Sequence, residues 1–161
     1  MQSAVISSES TPPATFRAQK PVILFCIIAF LSLAGMIVSG VSLQRHYAKS
    51  TTTYCHFGEQ FDCDIVNRSE YSSLMGIPVA GIGVAGYGLL LALSTVRCLR
   101  SETTTQLLLA ALAGLGFALY LTYVEAYVLM TWCILCLTSL ALITLITILA
   151  GVVKLRESKS L

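Results

Sequence analysis

The sequence predicts an all-α integral membrane protein, built as a four-helix transmembrane bundle with one long outer loop. Hydrophobic residues make up 56% of the chain and charged residues only 11%, whereas soluble domains carry about 25% charged residues. The apolar residues are also gathered into four runs, each close to the roughly 20 residues that a helix needs to cross a bilayer. A backbone in lipid must satisfy its own hydrogen bonds, so each run should be a helix.

The four predicted spans lie between two polar ends. Residues 1–20 are rich in serine, threonine and proline and lack periodicity, which predicts a disordered N-terminal segment. Pro21 then opens the first span, at a position where a helix tolerates proline. The spans are expected at residues 21–43, 76–96, 106–130 and 133–153, followed by a tail at 154–161. Glycine and alanine are common in the second and third spans and are expected to allow close helix packing.

The positive charges predict how the chain is oriented. Arginine and lysine precede the first span, separate the second from the third and follow the fourth: Arg17, Lys20, Arg97, Arg100, Lys154, Arg156 and Lys159. Four crossings put these groups on one side, and the positive-inside rule makes that side the cytoplasm. The loop of residues 44–75 then faces outward. Its Arg45, Lys49 and Arg68 reduce the difference in positive charge between the two sides.

Four of the six cysteines come together in this topology. Cys55 and Cys63 lie in the outer loop, and Cys133 and Cys136 lie at the outer end of the fourth span. The outer side of a bacterial inner membrane and the lumen of the endoplasmic reticulum are compartments where disulfides persist. The remaining two cysteines are expected to be buried or inert thiols, and these are Cys26 and Cys98.

The pattern Cys133-Ile-Leu-Cys136 at a helix start places two thiols on one helix face. Such a pair can alternate between dithiol and disulfide, and two pairs can pass oxidation on through mixed disulfides. Repeated turnover needs a terminal electron acceptor, and in a membrane the obvious candidate is a quinone. Two alternatives stay open: a zinc ion held by four thiolates from both pairs, and a structural disulfide between Cys55 and Cys63.

Several motifs together resemble the vitamin K epoxide reductase family over about residues 20–153. They are the loop cysteine pair, the stretch C-D-I-V-N-R-S-E-Y that starts at Cys63, G-I-P-V at residues 76–79, and Y-L-T-Y-V-E-A-Y-V-L-M-T-W-C-I-L-C. The resemblance implies a four-helix bundle around a quinone, with a short surface helix over the loop cysteines near residues 64–72. It also implies a quinone pocket that includes Val66, Asn67, Tyr71 and Leu121.

The resemblance implies a separate role for each cysteine. Cys136 should react with the quinone, and Cys133 should be its disulfide partner. Cys63 should attack Cys133 to give a transient bridge, while Cys55 exchanges with a partner protein. Ser69 matches a serine near the cysteines of the family, and a capping or turn role is an equal alternative.

Two departures from the animal members argue against vitamin K epoxide as the substrate. Those members bind the quinone through an asparagine and a tyrosine, where this sequence has Val79 and Leu140. The G-I-P motif and Glu125 look more like the bacterial branch, of which many members carry a fused thioredoxin domain. No such domain is expected here, so the resemblance implies a separate DsbA-like thioredoxin-fold partner in the periplasm.

Glu125 is a further candidate because it lies eight residues before Cys133, about 12 Å along a helix. An ionisable residue at that depth usually faces the bundle interior. Quinone reduction consumes two protons, so Glu125 could be a proton donor or hydrogen-bond partner of the quinone or the thiols. The alternative is a structural hydrogen bond to a neighbouring helix.

The sequence therefore predicts a quinone-dependent thiol–disulfide oxidoreductase of the bacterial inner membrane, with cytoplasmic termini and a periplasmic active site. Electrons would pass from the partner through both cysteine pairs to ubiquinone or menaquinone, with no metal involved. One alternative is a quinone or vitamin K epoxide reductase of the endoplasmic reticulum membrane. The other is a non-catalytic tetraspan scaffold with a structural disulfide or zinc. The net charge of only +2 gives no reason to expect a nucleic-acid partner.

Overall fold

Four long helices make up most of the described chain. The computed structural model describes residues 15–47, 66, 72–74, 76–96 and 103–159. The helices are α1 (Thr15–Tyr47), α2 (Val79–Val96), α3 (Thr103–Val124) and α4 (Ile134–Ser158). A π-helical segment, Glu125–Leu129, continues α3 by five residues.

A small hairpin leads the chain into α2. Its strands are β1 (Ser73–Leu74) and β2 (Ile77–Pro78), which pair antiparallel. Gly76 in the turn has a φ of 82°, a backbone conformation that favours glycine because it has no Cβ. The hairpin therefore needs a glycine at this point of the G-I-P-V motif.

The helices have the length and apolar composition needed to cross a membrane. Candidate spans are Val22–Tyr47, Val79–Val96, Thr104–Leu129 and Ile134–Ser158. Large apolar side chains cover their outer surfaces, and Phe30 and Leu109 are 71% and 62% exposed. A surface of this kind would be costly in water but is the expected exterior in lipid. The predicted four-helix membrane bundle is thus confirmed.

α1 is longer than the first predicted span. It begins at Thr15 and ends at Tyr47, so Pro21 lies inside the helix and residues 15–20, expected to be disordered, form its first turns. Alanine, arginine, glutamine and lysine in those turns are good helix formers, which accounts for the extension beyond the apolar run. Of the surface helix expected at residues 64–72, only Val66 and Ser72 belong to the described residues.

The helices form a ring in which α1 packs against α2 and α4, and α4 packs against α3. The largest cluster of buried apolar side chains includes Ile28, Leu107 and Ile146, which are no more than 1% exposed. α2 and α3 pack less closely against each other than the other neighbouring pairs do. This looser contact leaves space inside the bundle toward the end where α3 passes into α4, which we call the Cys133 end.

Candidate active site

Cys133 and Cys136 lie at the start of α4. Cys133 precedes the first helical residue and has an extended backbone, with φ −106° and ψ 115°. Cys136 lies in the first turn of the helix. Cys133 is completely buried, whereas Cys136 is half-buried. Both sulfurs and a carboxylate oxygen of Glu125 lie within 4.8 Å of one another, so the structure brings three of the predicted site residues together.

A π-helical turn carries Glu125 to these cysteines. Met130 and Thr131 both donate their backbone N–H to the carbonyl of Glu125, the second over 3.3 Å. Met130 then takes a left-handed conformation with φ 48° and ψ 28°, which is uncommon for a residue other than glycine. The chain reverses there and enters α4. Single π-helical turns inside α-helices are frequent at functional sites.

The Glu125 carboxylate links the end of α3 to the start of α4. Its Oε2 accepts a hydrogen bond from the backbone N–H of Cys133 over 3.2 Å. The Cys136 side chain interacts with the same carboxylate. The second oxygen, Oε1, is buried and has no hydrogen-bond partner among the described residues. Glu125 can therefore order the cysteine turn with one oxygen and hold a proton on the other.

The same three residues could hold a metal ion. Thiolates and carboxylates are zinc ligands, and a structural zinc site usually has four of them. The zinc alternative drawn from the sequence takes thiolates from Cys55 and Cys63, which lie outside the described residues. Three potential ligands are thus together, and a fourth is not identified in the described part of the chain.

A cavity of about 390 Å³ lies beside this cluster, which is within the range of roughly 300–1,000 Å³ typical of small-molecule pockets. Residues of all four helices line it, and most of the lining is apolar. Cys136 and Glu125 form part of its wall. Of the four predicted quinone-pocket residues, Val66 and Leu121 line the cavity as well.

Small residues help to keep the cavity open. Gly83 and Gly86 of α2 line it opposite Gly114 of α3. A Cβ added at Gly83 would lie 2.8 Å from Oγ of Ser39, so this glycine does serve helix packing. A Cβ added at Gly86 would meet no atom within 4 Å. The small residues that were expected to serve helix packing alone therefore also provide room for a ligand.

The cavity wall contains polar groups that the sequence interpretation did not assign. Ser39, Ser42 and His46 of α1 line it at helical spacing, a pattern that could have been recognised within the otherwise apolar run. On the other helices, Tyr87 donates a hydrogen bond from its hydroxyl to the carbonyl of Ser139 over 2.8 Å. These groups give a mostly apolar cavity several defined hydrogen-bonding positions.

Several predicted site residues lie outside the part of the chain that the structure describes. These five residues are Cys55, Cys63, Asn67, Ser69 and Tyr71. Cys98 lies outside that part too. Cys26, expected to be a buried or inert thiol, is not buried but exposed on the surface of α1. Its position in the span makes that surface lipid-facing, so Cys26 lies apart from the cysteine pair of α4.

Comparison with known proteins identifies the family. None of the curated proteins matches the sequence. The model of the vitamin K epoxide reductase family matches residues 26–151, from within α1 to near the end of α4. Members of this family are membrane oxidoreductases that link thiols to a quinone and work with a thioredoxin-like partner. The motifs, the four spans and the cysteine pair at the start of α4 all agree with that match. The chain therefore belongs to the vitamin K epoxide reductase family.

Proposed function

We propose that this protein oxidises a separate thioredoxin-fold protein and passes the electrons to a quinone. Electrons move from the partner's dithiol to Cys55 and Cys63, then to Cys133 and Cys136, and then to ubiquinone or menaquinone. The observation that carries the proposal is the mostly apolar cavity with Cys136 in its wall. A flat apolar ring with polar edges suits such a space and would meet a thiol there.

The proposed reaction balances in electrons and protons. Oxidation of the Cys133–Cys136 dithiol to a disulfide releases two electrons and two protons. Reduction of one quinone to a hydroquinone consumes two electrons and two protons. Cys136 lines the cavity while Cys133 is completely buried, which supports Cys136 as the thiol that meets the quinone. Glu125, whose carboxylate lies within 4.8 Å of the Cys136 sulfur, takes the thiol proton and returns it to a quinone oxygen. No metal takes part in this scheme.

The proposed location is the bacterial inner membrane, with cytoplasmic termini and the Cys133 end in the periplasm. The arginine and lysine distribution supports this orientation. The partner is then a DsbA-like thioredoxin-fold protein that introduces disulfides into exported proteins. Val79 lines the cavity where the animal members carry an asparagine, which favours a quinone over vitamin K epoxide as the acceptor.

A reconstituted reaction tests the proposal. The purified protein in detergent is mixed with a reduced DsbA-like protein and a soluble ubiquinone or menaquinone analogue, and partner thiols and quinone absorbance are followed together. One quinone should be reduced for each partner disulfide formed, and Cys136→Ala should lose both signals. Cys63→Ala should still reduce quinone with a small dithiol but fail with the partner. Normal oxidation of the partner by that variant would refute the proposed order of the relay.

A zinc-holding scaffold is a second candidate, because three potential ligand atoms lie within 4.8 Å of one another. The scaffold predicts about one zinc ion per chain in protein purified under reducing conditions, and it predicts no quinone reduction. The oxidoreductase predicts quinone reduction by metal-free protein in the presence of a chelator. Metal analysis and activity of the same preparation therefore separate the two functions.

A further inference from the structure

Two hydroxyl groups from different helices meet in the cavity wall one turn from Cys136. Tyr87 of α2 donates to the backbone carbonyl of Ser139 in α4 over 2.8 Å, and the two hydroxyl oxygens lie 2.9 Å apart. Both residues line the cavity. The Tyr87 ring is packed so closely on α1 that a Cβ at Gly35 would overlap it. Packing against α1 and the bond to α4 thus hold this hydroxyl in place.

The pair has a proton that it can offer to a ligand. Each hydroxyl has one proton to donate and two lone pairs that accept. The Tyr87 proton has two acceptors on Ser139, the carbonyl at 2.8 Å and the hydroxyl oxygen at 2.9 Å. When Tyr87 donates to them, the Ser139 proton can point into the cavity. A carbonyl oxygen in the cavity can therefore accept a hydrogen bond from Ser139 without leaving any donor of the pair unsatisfied.

The pair also lies at a suitable distance from the reactive thiol. Cys136 and Ser139 are three residues apart on α4, which is about 4.5 Å along the helix axis and on the same face. A para-quinone has its two carbonyl oxygens at opposite ends of the ring. A ring that presents one end to Cys136 can extend along this wall and bring the other carbonyl to Ser139.

We propose that the Tyr87–Ser139 pair binds the quinone carbonyl that lies away from Cys136 and so positions the ring against the thiol. This inference rests on the proposed function and extends it by assigning the hydrogen-bond donor that recognises the acceptor. Negative charge grows on that oxygen as the quinone takes electrons, and a hydrogen bond to a charged oxygen is about twice as strong as a neutral one. The pair should therefore favour reduction as well as binding.

Conservative variants with matched controls test this role. Ser139→Ala removes the donor and Tyr87→Phe removes the group that orients it. Thr138→Ala removes an exposed hydroxyl that donates to the Ile134 carbonyl of its own helix over 2.7 Å. Tyr123→Phe alters a tyrosine that is 58% exposed. Quinone binding is measured by quenching of the single tryptophan. Turnover is measured with a small dithiol and a quinone analogue, and thermal unfolding is recorded for each variant.

The expected result is specific to the quinone. Ser139→Ala and Tyr87→Phe should each weaken quinone binding by about 2- to 10-fold, the loss of one neutral hydrogen bond. Their kcat/KM for quinone should fall by about 10- to 100-fold, because the bond strengthens in the transition state. The double variant should lose little more than the worse single variant, since both belong to one hydrogen-bonded unit. The two control variants should behave as the wild type does.

Contrary results can be assigned to one proposal or the other. An active wild type whose Ser139→Ala and Tyr87→Phe variants keep its quinone affinity and kcat/KM would overturn this inference and leave the proposed function intact. The same holds if these variants only unfold at lower temperature without a change in KM. A wild type that neither binds nor reduces quinone would overturn the proposed function itself. Should Tyr87→Phe fail to fold, Ser139→Ala against Thr138→Ala decides the matter.

Discussion

Replacement of Glu125 by glutamine should slow quinone reduction while leaving the fold nearly unchanged. The side chain is 2% exposed and contacts both cysteines, accepting the Cys133 N–H over 3.2 Å and interacting with the Cys136 side chain. Glutamine has nearly the same shape, and its amide oxygen can still accept the N–H. Its side chain cannot exchange a proton as the carboxyl does. The substitution therefore removes proton transfer and keeps the structural bond.

The expected magnitudes differ between glutamine and alanine at this position. Glutamine should change the free energy of unfolding by less than about 1 kcal/mol, since the hydrogen bond is kept. Alanine leaves the buried N–H of Cys133 without this acceptor, at a cost of about 1–3 kcal/mol. It also removes one methylene group, worth about 0.8 kcal/mol. General acid–base catalysis contributes about 10²- to 10⁴-fold, so Glu125→Gln should slow quinone reduction by at least about 100-fold.

The assay combines single-turnover quinone reduction by the dithiol-reduced protein with chemical unfolding in detergent. Glu157→Gln is the matched control, because Glu157 lies near the other end of the bundle and accepts a hydrogen bond from Thr104 over 3.1 Å. A Glu125→Gln protein that reduces quinone at the wild-type rate would refute the proton-transfer role. Equal destabilisation by glutamine and alanine would refute the account of the Cys133 N–H bond.

Three further substitutions follow from the packing. Gly86→Leu should fold, because its side chain enters open space, but should raise the quinone KM about 10-fold or more by filling the cavity. Gly88→Leu, whose side chain also enters open space, is the kinetic control. Equal KM values for the two variants would argue against quinone binding in this cavity. Gly35→Ala should lower the free energy of unfolding by about 1–3 kcal/mol, since its Cβ overlaps the Tyr87 ring. Chemical denaturation measures this change, and unchanged stability would show that the ring can move. Cys26→Ala should retain full turnover because this thiol is exposed on α1, and a loss would bring Cys26 into the relay.

The bundle could be predicted from the sequence because a backbone in lipid has few alternatives to a helix. The position of Glu125 could not be predicted in the same way. The predicted spans end at residue 130 and begin again at 133, which indicates a turn but not where the Glu125 side chain lies, and a straight helix would separate the two residues by about 12 Å. The structure has the Glu125 carboxylate 3.2 Å from the Cys133 backbone nitrogen. The difference comes from the π-helical turn and the left-handed Met130, which fold the chain back. Neither is marked by glycine, proline or another residue with a strong local preference.

The cavity could not be predicted from the sequence either, although the small residues that line it can be read there. Gly83 and Gly86 belong to one glycine- and alanine-rich stretch of α2, yet a Cβ would meet Ser39 at the first and open space at the second. Which of them faces a neighbour depends on how α2 is rotated and what packs against it. Tyr87 and Ser139 are 52 residues apart. Their bond depends on how α2 and α4 are placed across the bundle, which hydrophobic periodicity does not specify.

The unpartnered oxygen of Glu125 bears on why a carboxyl group, rather than an amide, occupies this position. Burying a polar atom without a partner costs about 1–3 kcal/mol, and Oε1 is buried with no partner among the described residues. A glutamine could accept the same Cys133 N–H while carrying no ionisable group into the span. If the residue served only to join α3 to α4, glutamine should therefore serve nearly as well, with a free energy of unfolding within about 1 kcal/mol of the wild-type value. A carboxyl next to Cys136 and the cavity is better explained by proton exchange, so the rate of quinone reduction, more than stability, should distinguish the two side chains.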